Sequence, residues 1–365
     1  MRQIWICWLM VLALVVTATP TGAHEELSDG HFELVDESGQ VILETGLVVE
    51  VGDQYLAEDN RLYEVTAVQG GLARCRLVET VDLTATRPVA WWRRIWPGSA
   101  RVIPAQKGRP LVGIYHTHGA ESFVPTQGTA SVTPAGGIVS VADAMAAAFE
   151  RQGFEVVRLR DAHLPHDSRA YERSRRTALQ ILKRRPLALF DVHRDTAPAS
   201  AYEVEVQGNR ASKVMLVIGR QNPNRSANLE FAKHIKRVAD ERKPGLIKGI
   251  FFGKGKYNQD LGPRVILLEV GTYRIDQASA QRGAMELAEL MPAILTDVDA
   301  EYRAEGRSGW TTALWLIVLV LTIAGAFLVL SSGGIPQARE KIKQFISREF
   351  RGDLFGRRRG PRNPL

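Results

Sequence analysis

The feature that most narrows what this chain can fold into is the alternation that begins at Leu111. LVGIY, FEVVRLRD, LALFDVH, KVMLVIG and RVILLEVG are short runs rich in apolar and β-branched residues. Between them lie SVADAMAAAFERQG, SRAYERSRRTALQILKRR and NLEFAKHIKRVADERKPG, which read as helices, the first clearly amphipathic. Gly153, Pro186 and the Pro244–Gly245 pair stand where these helices should stop. A last helix is expected over SAQRGAMELAELMPAILTDVDAEYRAEG. Strands that are continuous apolar runs are covered on both faces. The pattern predicts an α/β domain over 111–305, a mostly parallel sheet flanked by helices, of ordinary size for one domain. No internal repeat is visible.

Ahead of it, residues 24–85 alternate in runs such as VILETGLVVEVGD and LARCRLVETVDL, bounded by Gly, Asp or Asn. They predict a small antiparallel β-rich module. Its acids and its lack of a chemical cluster suggest a spacer or adaptor. Residues 86–110, with WWRRIWPGSARVIP, read as an irregular linker.

The two ends are of another kind. Arg2, the apolar run Ile4–Val16 and small residues at Thr21–Ala23 predict a signal peptide over 1–23, with an uncleaved anchor as the alternative. Trp310–Leu330 carries no charge. At ~1.5 Å per residue it reaches about 30 Å, enough to cross a hydrocarbon core, so 310–330 predicts a transmembrane helix. Of the net charge of +7, the tail after Leu330 supplies +6, nine Lys/Arg against three acids, and Arg2 the rest. Residues 24–309 are therefore balanced, and the basic character points to no nucleic acid. It points to a basic cytoplasmic tail, 331–365, near anionic headgroups, with the domain outside a cell membrane that the chain crosses once. A nucleic-acid tail is the competing reading of GRRRGPR. With Cys7 in the signal segment, Cys75 stands alone, which excludes an internal disulfide and a thiolate zinc site.

Ligand sites in α/β sheets gather at the carboxyl ends of strands. LVGIY is followed by His116, His118 and Glu121; LALF by Asp191, His193, Arg194 and Asp195; RVILL by Glu269. His118 and Glu121, three apart across Gly119, can face one point, and His193 is the natural third ligand. Two imidazoles and one carboxylate leave a fourth position open, as in catalytic zinc sites. Glu269 is placed to act as general acid and base, and Arg194 to assist in stabilising an oxyanion. His116 is expected to contact substrate or support the ligands, or to be a ligand itself. His163 and His166 read as loop residues.

Five blocks, IYHTHGAESF, FDVHRDTAP, KVMLVIGRQNPN, GKGKYNQDLGP and ILLEVGT, closely resemble the stage II sporulation protein P family, in order, over about 110–275. That family is similar to zinc N-acetylmuramoyl-L-alanine amidases, with a zinc amidase/exopeptidase-like fold. The resemblance implies cleavage of the amide between muramic acid and L-alanine in peptidoglycan, alongside a glycan-cleaving partner enzyme. It implies Zn2+ on His118, Glu121 and His193, Glu269 as the acid and base, and a substrate cleft lined by Tyr257, Asn258, Gln259 and Asp260. The family implies a membrane anchor near the N-terminus, whereas the clear span here is C-terminal. A carboxypeptidase-like hydrolase and a non-catalytic wall-binding scaffold are the competing readings.

Overall fold

The structure is a computed structural model. It describes residues 26–84, 109–337 and 339–343, with 28, 29, 168 and 342 left out. The expected signal peptide, nearly all of the linker and most of the basic tail lie outside the described residues. Of the described residues, those up to Asp299 form one unit and those from Ala300 a second.

In the first unit the strands run β1 (Phe32–Val35), β2 (Val41–Thr45), β3 (Gln54–Leu56), β4 (Arg61–Gln69), β5 (Leu72–Thr80), β6 (Leu111–Tyr115), β7 (Glu155–Arg158), β8 (Ala188–Asp195), β9 (Glu203–Val206), β10 (Asn209–Ser212), β11 (Val214–Gly219), β12 (Ile247–Gly253) and β13 (Val265–Thr272). β9 and β10 form a separate hairpin; the other eleven share one sheet, in the order β2-β1-β5-β4-β3-β12-β11-β13-β8-β6-β7. The sheet is mixed, not mostly parallel. β13, β8, β6 and β7 run parallel to one another, but β11 meets β13 antiparallel and β12 meets β3 antiparallel. The N-terminal strands continue the same sheet through β3. They are not wholly antiparallel either, because β1 pairs with β5 in parallel.

Period-two alternation sorts the side chains. On one face, Val112, Ile114, Phe190, Val192, Leu268 and Val270 meet three helices, Gly137–Arg151, Arg225–Arg242 and the start of Gln277–Ser332. In the first helix Ile138, Val141, Ala142, Met145 and Phe149 make the buried stripe, spaced three or four apart as a helix requires. On the other face, Tyr115 and Leu189 meet Ala178 and Ile181 of the helix Ala170–Leu182. Further along that face, Met215, Val217, Phe251 and Leu267 pack against Phe32, Leu34, Leu43, Leu47 and Tyr63 from the N-terminal strands. At about 1.5–3 kcal/mol for each large apolar side chain buried, this second contact holds the β module firmly over the sheet.

The last helix is one continuous element, Gln277–Ser332, instead of the two segments expected. Its part Leu314–Ser332 is long and apolar enough to cross a membrane, by length and composition. Leu314, Trp315, Phe327 and Leu330 are exposed.

Candidate active site

Because β6, β8 and β13 are parallel neighbours, their carboxyl ends meet at one edge. Register places Glu269 beside His193 and Asp191 beside Tyr115. Asp191, His193, Asp195 and Glu269 fall on the face covered by the helix Ala170–Leu182 and the β module. His118 and Glu121 arrive from the turn after β6. All are buried, His118 being the most exposed at 6%.

His193 is at the centre. Its Nδ1 lies 3.4 Å from Glu121 Oε1, and its Nε2 lies 3.0 Å from Asp191 Oδ1. The His118 and His193 rings have centroids 5.3 Å apart and stand nearly perpendicular, at 78°. Two imidazoles bonded to one tetrahedral zinc at ~2.0–2.1 Å would have centroids about 5 Å apart. His118 Nδ1 and Glu121 Oε1 are buried without a hydrogen-bond partner, whereas His193 Nε2 faces Asp191. Buried polar atoms are rarely left so in a native fold. The donor atoms of His118, Glu121 and His193 do not all lie within 4.8 Å of one another; within that distance Glu121 is instead grouped with Glu26 and His166. The donor set of two imidazoles and a carboxylate, with no thiolate, is of the zinc type.

The electrostatics favour a cation as well. Burial pushes the Glu121 carboxyl up, but His193, Arg194 and His118 outweigh it and hold it at about 2. Asp191 is lowered against burial by His193 and by Thr117, whose N–H and hydroxyl donate at 2.8 and 2.6 Å. Both carboxylates are therefore ionised at neutral pH. Burial, with His193 adding to it, keeps His118 well below the usual histidine range. His193 moves the other way, because Asp191 and Glu121 overcome its burial. Burial drives Glu269 well above the usual carboxyl range, with Asp195, Glu26 and Glu121 reinforcing the shift and His193 opposing it. Glu269 Oε2 is also buried without a partner. A carboxyl whose proton affinity is raised beside carboxylates whose affinity is lowered is the arrangement of an acid–base group.

The other expected residues are placed as follows. Arg194 donates its backbone N–H to Glu121 Oε2 (3.1 Å) and so orients that carboxylate. Its guanidinium turns to Glu26 (2.8 Å), Thr196 (3.1 Å) and the Ala130 carbonyl (3.1 Å). His116 is fully buried, its Nδ1 3.4 Å from the Val192 carbonyl oxygen and its Nε2 unpartnered. Burial lowers it to about 4, so it is neutral at physiological pH. Asn258, Gln259 and Asp260 are tied into the fold. Asn258 donates to the Tyr171 carbonyl and Ser174. Gln259 spans the Val217 carbonyl and the Gly219 N–H, and Asp260 is gripped by both Arg175 nitrogens at 2.9 and 2.6 Å. Tyr257 is buried and meets Tyr171 edge-on at 5.4 Å.

Three residues join the site without having been expected there. His166 stacks on His118 with centroids 4.0 Å apart. Tyr171 stands edge-on to His118 at 5.6 Å and stacks on His193 at 6.3 Å. Glu26, from the start of the described chain, reaches Arg194 and Thr196; its ligand oxygen, one of Glu121 and a His166 nitrogen lie within 4.8 Å of one another. Glu121 is thus common to this group and to the expected trio. The Pro165–His166 stretch follows an ordinary strand, and nothing in its spacing relates it to HTHGAE.

The family model of stage II sporulation protein P matches residues 57–292. The chain belongs to the stage II sporulation protein P family. The protein of that name from Bacillus subtilis (strain 168) is 26% identical over 220 residues, 55% of this chain. The match spans about half of that family member, 55% of its length. Among solved structures, this chain is similar to the N-acetylmuramyl-L-alanine amidase Ami1 of Mycobacterium smegmatis (14% identity, TM-score 0.36, 52% of this chain and 98% of that one). It is also similar to the amidase AmiC2 of Nostoc punctiforme (18% identity, TM-score 0.34, 53% and 99%).

Proposed function

We propose that this chain is a zinc-dependent cell wall hydrolase that cleaves the amide between N-acetylmuramic acid and L-alanine in peptidoglycan. The observation that carries the reading is the burial of His118, Glu121 and His193 side by side, with unpartnered donor atoms on His118 and Glu121, next to Glu269, whose carboxyl burial raises. Membership of the sporulation family supports the choice of a wall substrate. His118, Glu121 and His193 would hold the ion, which supplies Lewis-acid polarisation of a carbonyl and acidification of water.

The chain's own residues do the rest. Asp191 faces His193 Nε2 and directs Nδ1 toward Glu121, as carboxylates behind metal-ligating histidines do. The Arg194 N–H fixes Glu121. Starting as the carboxylate, Glu269 would take one proton from the attacking water, and its raised proton affinity would hold that same proton until it passes to the departing amide nitrogen. Burial of the centre removes competing solvent and strengthens each of these interactions. The apolar stretch Leu314–Ser332 tethers the unit to a cell membrane, with the hydrolase outside and the basic tail inside. A glycan-cleaving enzyme is the fitting partner, since stem release and strand cleavage together clear a wall.

The test is incubation of the full chain, in detergent, with purified peptidoglycan, followed by mass analysis of the fragments. Stem peptides with a free N-terminal alanine are expected, lost with chelator and restored by Zn2+. Release of C-terminal amino acids, or no metal-dependent product, would overturn the reading.

A further inference from the structure

The β module carries a chemical cluster of its own, far in sequence from the candidate active site. His31 directly precedes β1, and Glu33 lies two residues on, so the two share a strand face. Antiparallel register places Glu44 of β2 directly across from Glu33. Like charges set opposite each other in an antiparallel ladder destabilise it. Among the described residues, neither carboxylate has a Lys or Arg within ion-pairing distance of its oxygens; the nearest cation, the Lys248 ammonium, donates to the Glu44 backbone carbonyl at 2.6 Å. His31 Nε2 is 3.8 Å from Glu33 Oε1 and 3.6 Å from Glu44 Oε1. Those separations are too long for hydrogen bonds. They are close to the spacing of about 3.4 Å between neighbouring donors around a tetrahedral zinc with bonds of ~2.0–2.1 Å. One donor atom from each of the three lies within 4.8 Å of the others.

We propose that His31, Glu33 and Glu44 bind a second divalent cation of the zinc class on the outer face of the β1–β2 pair. An imidazole with two carboxylates favours zinc over the all-oxygen shells of calcium and magnesium. The two carboxylates neutralise the ion, and the ion removes the repulsion between them. The His31 and Glu44 side chains are half-buried, at 28% and 27% exposure, and Glu33 is open at 48%, which leaves a side for water. The location gives the ion a structural use. β2 leads directly into Thr45 and Gly46, which donate to Asp195 at 3.1 and 2.6 Å. A cation clamping β1 to β2 stiffens the strand that the module lays against the catalytic strand β8.

The experiment measures zinc bound per full-length chain in detergent, by elemental analysis after equilibrium dialysis, with Co2+ absorption as a second readout. The wild type, His31→Ala, Glu44→Gln and His193→Ala are compared, each checked for folding by circular dichroism. His31→Ala and Glu44→Gln are expected to lose one equivalent of zinc, with affinity at that site down at least tenfold. The tetrahedral Co2+ signal of that equivalent should go with it. His193→Ala should retain this equivalent and the rise in Tm that it produces. If His31→Ala and Glu44→Gln bind as much zinc as the wild type, or if the one equivalent present is lost only in His193→Ala, the proposal fails. Failure of the hydrolase reading would leave the count at His31 unchanged.

Discussion

Glu269 and His193 stand side by side on adjacent parallel strands, in register, one a carboxyl raised by burial and the other an imidazole raised by two carboxylates. Strand pairing alone fixes their separation, so the proton-carrying group and the central imidazole cannot drift apart without breaking the sheet. Glu269→Gln should therefore leave zinc content intact while lowering the rate of stem release by about 10²–10⁴, the usual worth of a general acid–base group. Turnover on peptidoglycan, set beside metal analysis of the same sample, checks this.

The same substitution has a stability consequence. A carboxyl whose folded pKa lies above its ordinary 4.5 contributes stability below that pH and loses it as the pH rises toward the folded value. Glu269→Gln should remove that decline. The difference in Tm between variant and wild type should grow in the variant's favour from pH 5 upward.

Glu26 and Glu121 pull stability in opposite directions. Burial raises Glu26 to about 7 despite Arg194, whereas Glu121 is held at about 2. Stability from Glu26 is full below about 4.5 and is lost as the pH rises through 7. Stability from Glu121 is full above about 4.5 and is lost as the pH falls toward 2. In metal-free protein, Glu26→Gln should flatten the Tm curve between pH 4.5 and 7 and leave the acid limb in place.

Asp191→Asn tests the support behind His193. Replacing such a carboxylate typically weakens metal binding by about 10–100-fold. The expected result is that loss in zinc affinity, with activity recovered at raised Zn2+, measured by competition with a chromogenic chelator.

Gly46 tests the docking of the module. A Cβ there would lie 2.4 Å from the Thr196 Cβ and 2.9 Å from its Cα, and backbone cannot yield as a flexible side chain does. Gly46→Ala should cost about 1–3 kcal/mol, the usual penalty for overpacking, read by denaturant unfolding.

Much of the α/β half was legible because strand runs such as LALFDVH and RVILLEVG carry their chemistry at the carboxyl end, where parallel neighbours bring it together. The direction of β11 was not legible: VMLVIG is as apolar as a parallel strand, and only its pairing with β13 shows it reversed. That reversal also accounts for Asn258, Gln259 and Asp260. β12 runs with β11, so the segment after it starts from the amino-terminal end of β13 and meets the site only indirectly, Asn258 through Ser174 and Tyr257 through Tyr171. His166, Tyr171 and Glu26 reach the histidines through a loop, a helix start and an N-terminal strap, and no local period encodes such approaches. The His31, Glu33 and Glu44 group was not read from the sequence, because Glu44 joins it only through register.

Asp195 accepts hydrogen bonds from Thr45, Gly46, Thr196 and Tyr202, two of them from the N-terminal strands. Excising the chain at Leu111 would strip those two donors from a fully buried acid and lay bare the side of β12 that β3 now pairs with. An open apolar edge of that kind recruits other chains. The segment expected to be a mere spacer is, in physical terms, the stopper on the open edge of the α/β half.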